Sequence, residues 1–393
     1  MKKLTISLLS LAGAGLIIAS CSDDDNNDTS RTVTKSEVVA NYAKIVYQNY
    51  KDAYDDAVEL ETAINAFTAN PTSAGFDTAK TKWKEARESY GTTEAFRFAN
   101  GPIDDEDGPE GLINAWPLDE NYIDYVDDNG TIVNGGIINS TATVEITKEF
   151  LSALNEDGGE KNISTGYHAI EFLLWGQDLT APAEKKAGLR AYTDYLDGSA
   201  AINQAKRRQY LNVVADLLTD NLDYLVKQWE EGGEYRTVFL ALPVDTALQN
   251  IYLGIATLAS AELAVERMDV ALANMDQEDE HSCFSDNTHR DIYLNFKGIE
   301  NVYEGEYGNI DGPSLEDLVR QANNQVATDT DKAFDETEDD IEAIAIPFDF
   351  AISQGATSTE GAKVKKAVLA LQEKLGANLL AGASALGISV TIE

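Results

Sequence analysis

Histidine and cysteine are scarce in this chain, at three and two of 393 residues. Two cysteines cannot build a disulfide framework, so stability must come from a buried core. Basic residues are few as well: 30 Lys and Arg stand against 68 Asp and Glu, for a formal charge of −38. Nucleic-acid backbones and anionic lipid headgroups both demand basic patches, so this balance argues against either as a partner. No phosphate-cradling glycine loop, no nucleophile elbow and no His-Glu-x-x-His run is present, although Ser282 and Ser285 lie near histidines. Beyond the N-terminus, no segment is expected to be apolar enough to cross a bilayer.

What the chain does have begins with its leader. Lys2 and Lys3 precede an apolar stretch, Leu8 to Ile18, and Ile18-Ala19-Ser20-Cys21 reads as a lipobox. A charged start, a short apolar run and small residues before the cut are secretory features. Residues 1–20 are therefore expected to be removed and Cys21 lipidated, anchoring the chain to a membrane without spanning it. The loss of two lysines leaves the mature chain near −40, a charge that favours solubility and attracts cations. Residues 21–34 contain the acidic run Ser22 to Arg31, which has nothing to bury and reads as a disordered tether. Its aspartates resemble the export signal of surface lipoproteins, which implies an outer-membrane or cell-surface location. With Cys21 taken by lipid, Cys283 is left alone and reads as a buried small residue.

After the tether the apolar pattern is helical. Val38, Tyr42, Ile45, Val46, Ala53, Ala57, Leu60, Ile64 and Phe67 recur at three- and four-residue steps, and Thr34 with Glu37 fits a capping box. Further helices are expected near 74–99, 143–155, 165–177, 200–231 (with Ile202 on the apolar stripe), 244–275, 291–303, 314–325, 329–344 and 360–386. Thr131 to Val133 and Ser389 to Ile392 read as short extended pieces. Long acidic loops at 100–140 and 277–291 interrupt the helices. Glu230 to Glu234 reads as a boundary, giving an all-α chain of two bundles, 35–232 and 233–393.

The chemistry concentrates on one segment. His168 and Glu171 are three apart on a predicted helix and so share a face, a pairing that suits zinc, iron or copper. A bare His-x-x-Glu is a weak signal, and a capped histidine on an amphipathic helix is the plain alternative. An inverted zincin would need His at position 172, which is Phe. Additional ligand candidates are Glu94, Asp104, Asp119, His281, Asp286 and His289. Glu94 and Glu171 are also candidate catalytic groups if the metal activates water. Each has a bland reading: Glu94 pairing with Arg97 along a helix, Asp286 and Thr288 shaping a turn.

Several stretches together resemble the imelysin-like family: Gly166-Tyr167-His168-x-x-Glu171, the family's GxHxxE; Trp83-x-x-Ala86-Arg87-x-x-Tyr90; Glu94-x-Phe96-Arg97-Phe98; Gly101-Pro102-Ile103-Asp104; Glu110-Gly111-Leu112; Trp116-Pro117-Leu118-Asp119; and His281 through Asp291. The resemblance runs over residues 35–390. It implies two tandem helical bundles with a polar site near their interface. It also implies a role either in iron uptake, with a divalent metal or iron bound and envelope iron-uptake proteins as partners, or as a metallopeptidase. A non-catalytic envelope interaction module stays open beside them.

Overall fold

The computed structural model describes residues 32–141 and 145–392. The leader and Cys21 lie outside the described residues. Residues Val33–Glu393 form one compact unit. Helix makes up 67% of the chain and strand 3%, so the chain is the mostly helical protein expected. Among the described residues the strands form two small hairpins, Val126–Asp128 with Thr131–Val133 and Glu306–Tyr307 with Ile310–Asp311. The segment expected to be extended at 389–392 forms no strand; Val390 and Ile392 pack against the core from the chain end.

Lys35–Ala69 is the longest α-helix, and its start is the expected capping box: Thr34 Oγ1 accepts from Glu37 N while Glu37 Oε2 accepts from Thr34 N. It packs along Ser73–Thr93 and Gln204–Trp229, burying Ile45, Ala53, Leu60 and Ile64. Ile202, expected on the stripe of the latter helix, precedes it and is half exposed.

Two features position the functional residues. Thr288–Glu304 crosses Ser73–Thr93 so closely that a Cβ on Gly298 would come 2.4 Å from Thr92 O. That crossing sets Arg87 on one helix against Asp291 on the other. The second feature is the turn into Gly166–Trp175. Gly166 has φ +79°, and a Cβ there would meet Ile113 O at 2.4 Å. Only glycine takes that conformation at so little cost, and it lets the helix begin hard against the preceding strap.

Val244–Asn274 corrects one expectation. It has the length and hydropathy of a membrane span. Its apolarity is accounted for by packing, since Leu248, Ile251, Ile255, Leu258, Leu263 and Met268 are all buried. Its middle, Leu258–Asp269, winds as π-helix. Five residues per hydrogen-bonded step bring Glu262 and Arg267 onto one face, where they pair at 3.0 Å.

Candidate metal centre

The helix Gly166–Trp175 is buried along its whole length, so His168 and Glu171 sit in the interior. They face each other as their spacing requires: His168 Nδ1 lies 3.0 Å from Glu171 Oε2. The other oxygen of Glu171 accepts from Ser285 N at 2.9 Å and Ser285 Oγ at 2.7 Å. Burial, opposed by those Ser285 bonds, pushes the Glu171 carboxyl up to about 8. His168 Nε2 is buried and has no hydrogen-bond partner among the described residues. Burial, reinforced by the Arg87 charge, holds this imidazole down to about 3. It is therefore neutral at pH 7, the form in which imidazole binds metal.

The second imidazole arrives from the 277–287 loop. The His281 and His168 rings are 4.6 Å apart between centroids, with planes at 74°. His281 Nδ1 stands 3.2 Å from Asp291 Oδ2, and Asn114 Nδ2 approaches Nε2 at 3.4 Å. Burial, with Arg267 next in weight, lowers His281 to about 3 as well. Asp291 also accepts from Ser282 Oγ and from Arg87 Nη2 at 3.0 Å. Burial alone would raise its carboxyl, but Arg87, His281 and Ser282 together outweigh it and the net shift is downward.

Glu94 closes the group from the 3-10 turn Glu94–Phe96. It accepts from Arg267 Nη2 at 2.5 Å and from Asn114 Nδ2 at 3.2 Å. Burial raises its carboxyl, but Arg267 and Arg97 draw it down to about 2. Arg97 reaches Glu94, Asp104, Glu110 and Glu262. A cavity of about 140 Å³ adjoins this network, lined by Arg97, Glu110, Asn114, Trp116, Arg267 and His281. Glu110, at its wall, is pushed up to about 7 by burial against the pull of Arg97.

Of the residues singled out in the sequence, the structure thus brings together His168, Glu171, His281 and Glu94, drawn from both sides of residue 232. The others lie elsewhere. Asp104 sits at the rim, bonded to Phe98 N and Arg97. Asp119 is an exposed N-cap that accepts from Asn121 N. His289 bonds to Asp286 O and lines a separate cavity of about 580 Å³ with Tyr293, Ile341, Ile344 and Ile346. Asp286 lies with Asp178 and Asp349, apart from the imidazoles. Cys283 is free and buried, as expected.

Sequence reading assigns no site role to Arg87, Asn114, Arg267, Ser285 or Asp291, although Arg87, Ser285 and Asp291 fall in stretches quoted above. For the arginines a signal exists. Arg87 falls four after Trp83 and three before Tyr90, on the apolar face, and Arg267 falls midway between Leu263 and Ala271; all are buried. A charge on an apolar stripe needs a buried partner.

The comparisons agree with this architecture. The model of the imelysin (peptidase M75) family matches residues 46–378. The chain is 25% identical over 381 residues to iron-regulated protein A of Synechococcus elongatus, covering 94% of this chain and 89% of that one. It superposes with a TM-score of 0.69 on a crystal structure from Parabacteroides distasonis described as an iron-regulated protein A precursor, at 21% identity and with 89% and 94% of the two chains covered. An imelysin-like protein from Psychrobacter arcticus shares the fold at a TM-score of 0.61 and 14% identity, covering 91% of this chain and 97% of that one. The family match spans most of the sequence and includes every residue of the centre, from Arg87 to Asp291. The chain belongs to the imelysin family.

Proposed function

We propose that this chain is an envelope-anchored metal-binding protein serving iron acquisition, with the metal held at the buried His168–His281 centre. One observation carries the reading. His168 Nδ1 is fixed on Glu171, and its Nε2 is buried without a partner. A buried polar atom left unpaired is costly, and a histidine oriented by a carboxylate with its other nitrogen unclaimed has the arrangement of a metal ligand. In this geometry Glu171 orients the imidazole, and His168 supplies the donor. Asp291 meets His281 at Nδ1, where Arg87 Nη2 also approaches at 3.4 Å, and the long Asn114 contact is the only competitor seen for its Nε2 among the described residues. Two neutral imidazoles suit iron, zinc or copper.

Iron as the cargo is our reading, supported by the kinship with a protein named for its regulation by iron. The lipid anchor at Cys21 and envelope iron-uptake proteins as partners complete the proposal. The metallopeptidase alternative needs a general base. Of the two candidate groups, Glu94 is bound by Arg267 and Asn114 and held at about 2, too weak a base for neutral pH, and both oxygens of Glu171 are already engaged, one by His168 and one by Ser285. The test is titration of iron(II) into protein beginning at Ser22, for the unaltered chain, His168→Ala and His281→Ala. Binding that weakens sharply in both variants supports the reading. Negligible binding by all three, or equal binding, removes it.

A further inference from the structure

A second group of acids lies outside the imidazole centre. Asp178 follows the helix Gly166–Trp175, Asp286 sits in the loop before Thr288–Glu304, and Asp349 stands in the short helix Phe348–Ile352. One carboxylate oxygen from each falls within 4.8 Å of the other two. Asp178 and Asp349 are 3% and 2% exposed. Each uses one oxygen locally: Asp178 Oδ1 accepts from Thr180 N at 2.9 Å, and Asp349 Oδ1 from Phe350 N at 2.6 Å. The remaining Oδ2 of each has no hydrogen-bond partner among the described residues.

A fourth carboxylate supplies an independent observation. Glu280 is 1% exposed, and neither of its oxygens is hydrogen-bonded among the described residues. The Thr288 hydroxyl beside it, which accepts from Ser282 N, draws this carboxyl down against the upward push of burial. The charges it feels are those of Asp349, Asp286 and Asp178. None of the four carboxylates forms an ion pair among the described residues. The nearby lysines are engaged elsewhere: Lys84 donates to Ser285 O at 3.1 Å, and Lys185 donates to Ile346 O while lying over the Phe350 ring. Lys84 and Lys185 offset only part of this negative charge, and buried carboxylates without an ion-paired partner must either take up protons or share a cation. Burial, and then mutual repulsion, raises Asp286 to about 7, while burial raises Asp349 to about 6.

We infer that Asp178, Asp286 and Asp349 form a second cation site that takes a hard divalent ion of the calcium class. Every donor is a carboxylate oxygen, the chemistry that selects calcium, magnesium or manganese over softer metals. Oxygens at calcium distances of about 2.3–2.6 Å lie at most about 5 Å apart across the ion, a span the three aspartates already meet. The site would pin three separate segments together. It also adjoins the imidazole centre, because Asp286 follows Ser285, which donates twice to Glu171. The inference stands on the aspartates alone and does not depend on iron binding.

Calcium titration of chelator-treated protein, by calorimetry and thermal unfolding, tests it in three forms: unaltered, Asp178→Asn/Asp349→Asn, and His168→Ala. The unaltered chain and His168→Ala should bind one calcium and melt higher with it. The double variant should lose at least about tenfold in affinity. Without calcium it should melt no lower than the unaltered chain, because two repelling charges are gone; that result keeps a binding loss from being read as misfolding. The inference is overturned if the unaltered chain binds none of calcium, magnesium and manganese. It is equally overturned if the double variant binds as well as the unaltered chain, or if His168→Ala abolishes binding.

Discussion

His168 and His281 come from segments far apart in the chain, yet their rings meet edge to face at 4.6 Å in the interior. Each is steadied through Nδ1 by its own carboxylate, Glu171 or Asp291. Two imidazoles buried together and lowered to about 3 resist protonation, which keeps both nitrogen lone pairs available.

Removing the orienting carboxylate should be milder than removing the ligand. Glu171→Gln is expected to weaken metal binding by about 10–100-fold, the usual cost of losing an outer hydrogen-bond partner. His168→Ala should cost more. Calorimetric titration of the two variants gives the order, and a Glu171→Gln variant weaker than His168→Ala would make Glu171 the ligand.

Metal affinity should climb with pH. Glu171 rests near 8, so at neutral pH it carries a proton that a bound cation would displace. Affinity is expected to rise from pH 6 to 8 and then level. In Glu171→Gln this part of the slope should vanish. A flat profile for the unaltered chain would contradict the assignment.

The buried imidazoles also predict acid sensitivity of the fold. Their folded values near 3 lie below the unfolded value of 6.5, so between those limits the unfolded chain binds more protons and stability falls as pH drops. Each contributes on the order of 1.4 kcal/mol per pH unit in that window. Glu171 acts oppositely: raised above 4.5, it weakens the fold as pH rises toward 8. Glu110, Asp286 and Asp349 are raised too and act like Glu171, so the imidazole contribution is read as a difference. Denaturant unfolding from pH 4 to 8 should show the metal-free chain gaining stability, relative to a His168→Asn/His281→Asn variant, up to about pH 6.5; a constant difference would contradict it.

Arg87 and Asp291 form a buried pair at 3.0 Å, with Arg87 also donating to Asn114 Oδ1. Arg87→Met leaves Asp291 without its counter-charge and should cost about 3–5 kcal/mol. Urea unfolding measures it. A loss under about 1 kcal/mol would show that the pair is exposed to water in solution.

Much of the frame was legible because its signals are local. Thr34 with Glu37 and Ser314 with Asp317 cap helices as their spacing implies. The apolar period located most of the long helices, and His168 with Glu171 met because three residues on a helix share a face. What was illegible arises from packing. Arg87 meets Asp291 only where two helices cross at Gly298, and Glu262 meets Arg267 only because that turn is wound as π-helix. Asp104 and Asp119 read as ligand candidates because they are loop acids near the motif, but Asp104 holds Phe98 N and Arg97, and Asp119 accepts from Asn121 N. Asp178 and Asp349 carried no motif at all, since three unconnected segments bring them to Asp286.

The claim on which the account rests is that His168 Nε2 takes the metal. X-ray absorption at the iron edge, on iron(II)-loaded protein and on His168→Ala, tests it most directly. Imidazole scattering is expected in the unaltered chain and should diminish or disappear in the variant. An all-oxygen environment, or imidazole scattering unchanged by the substitution, would contradict it.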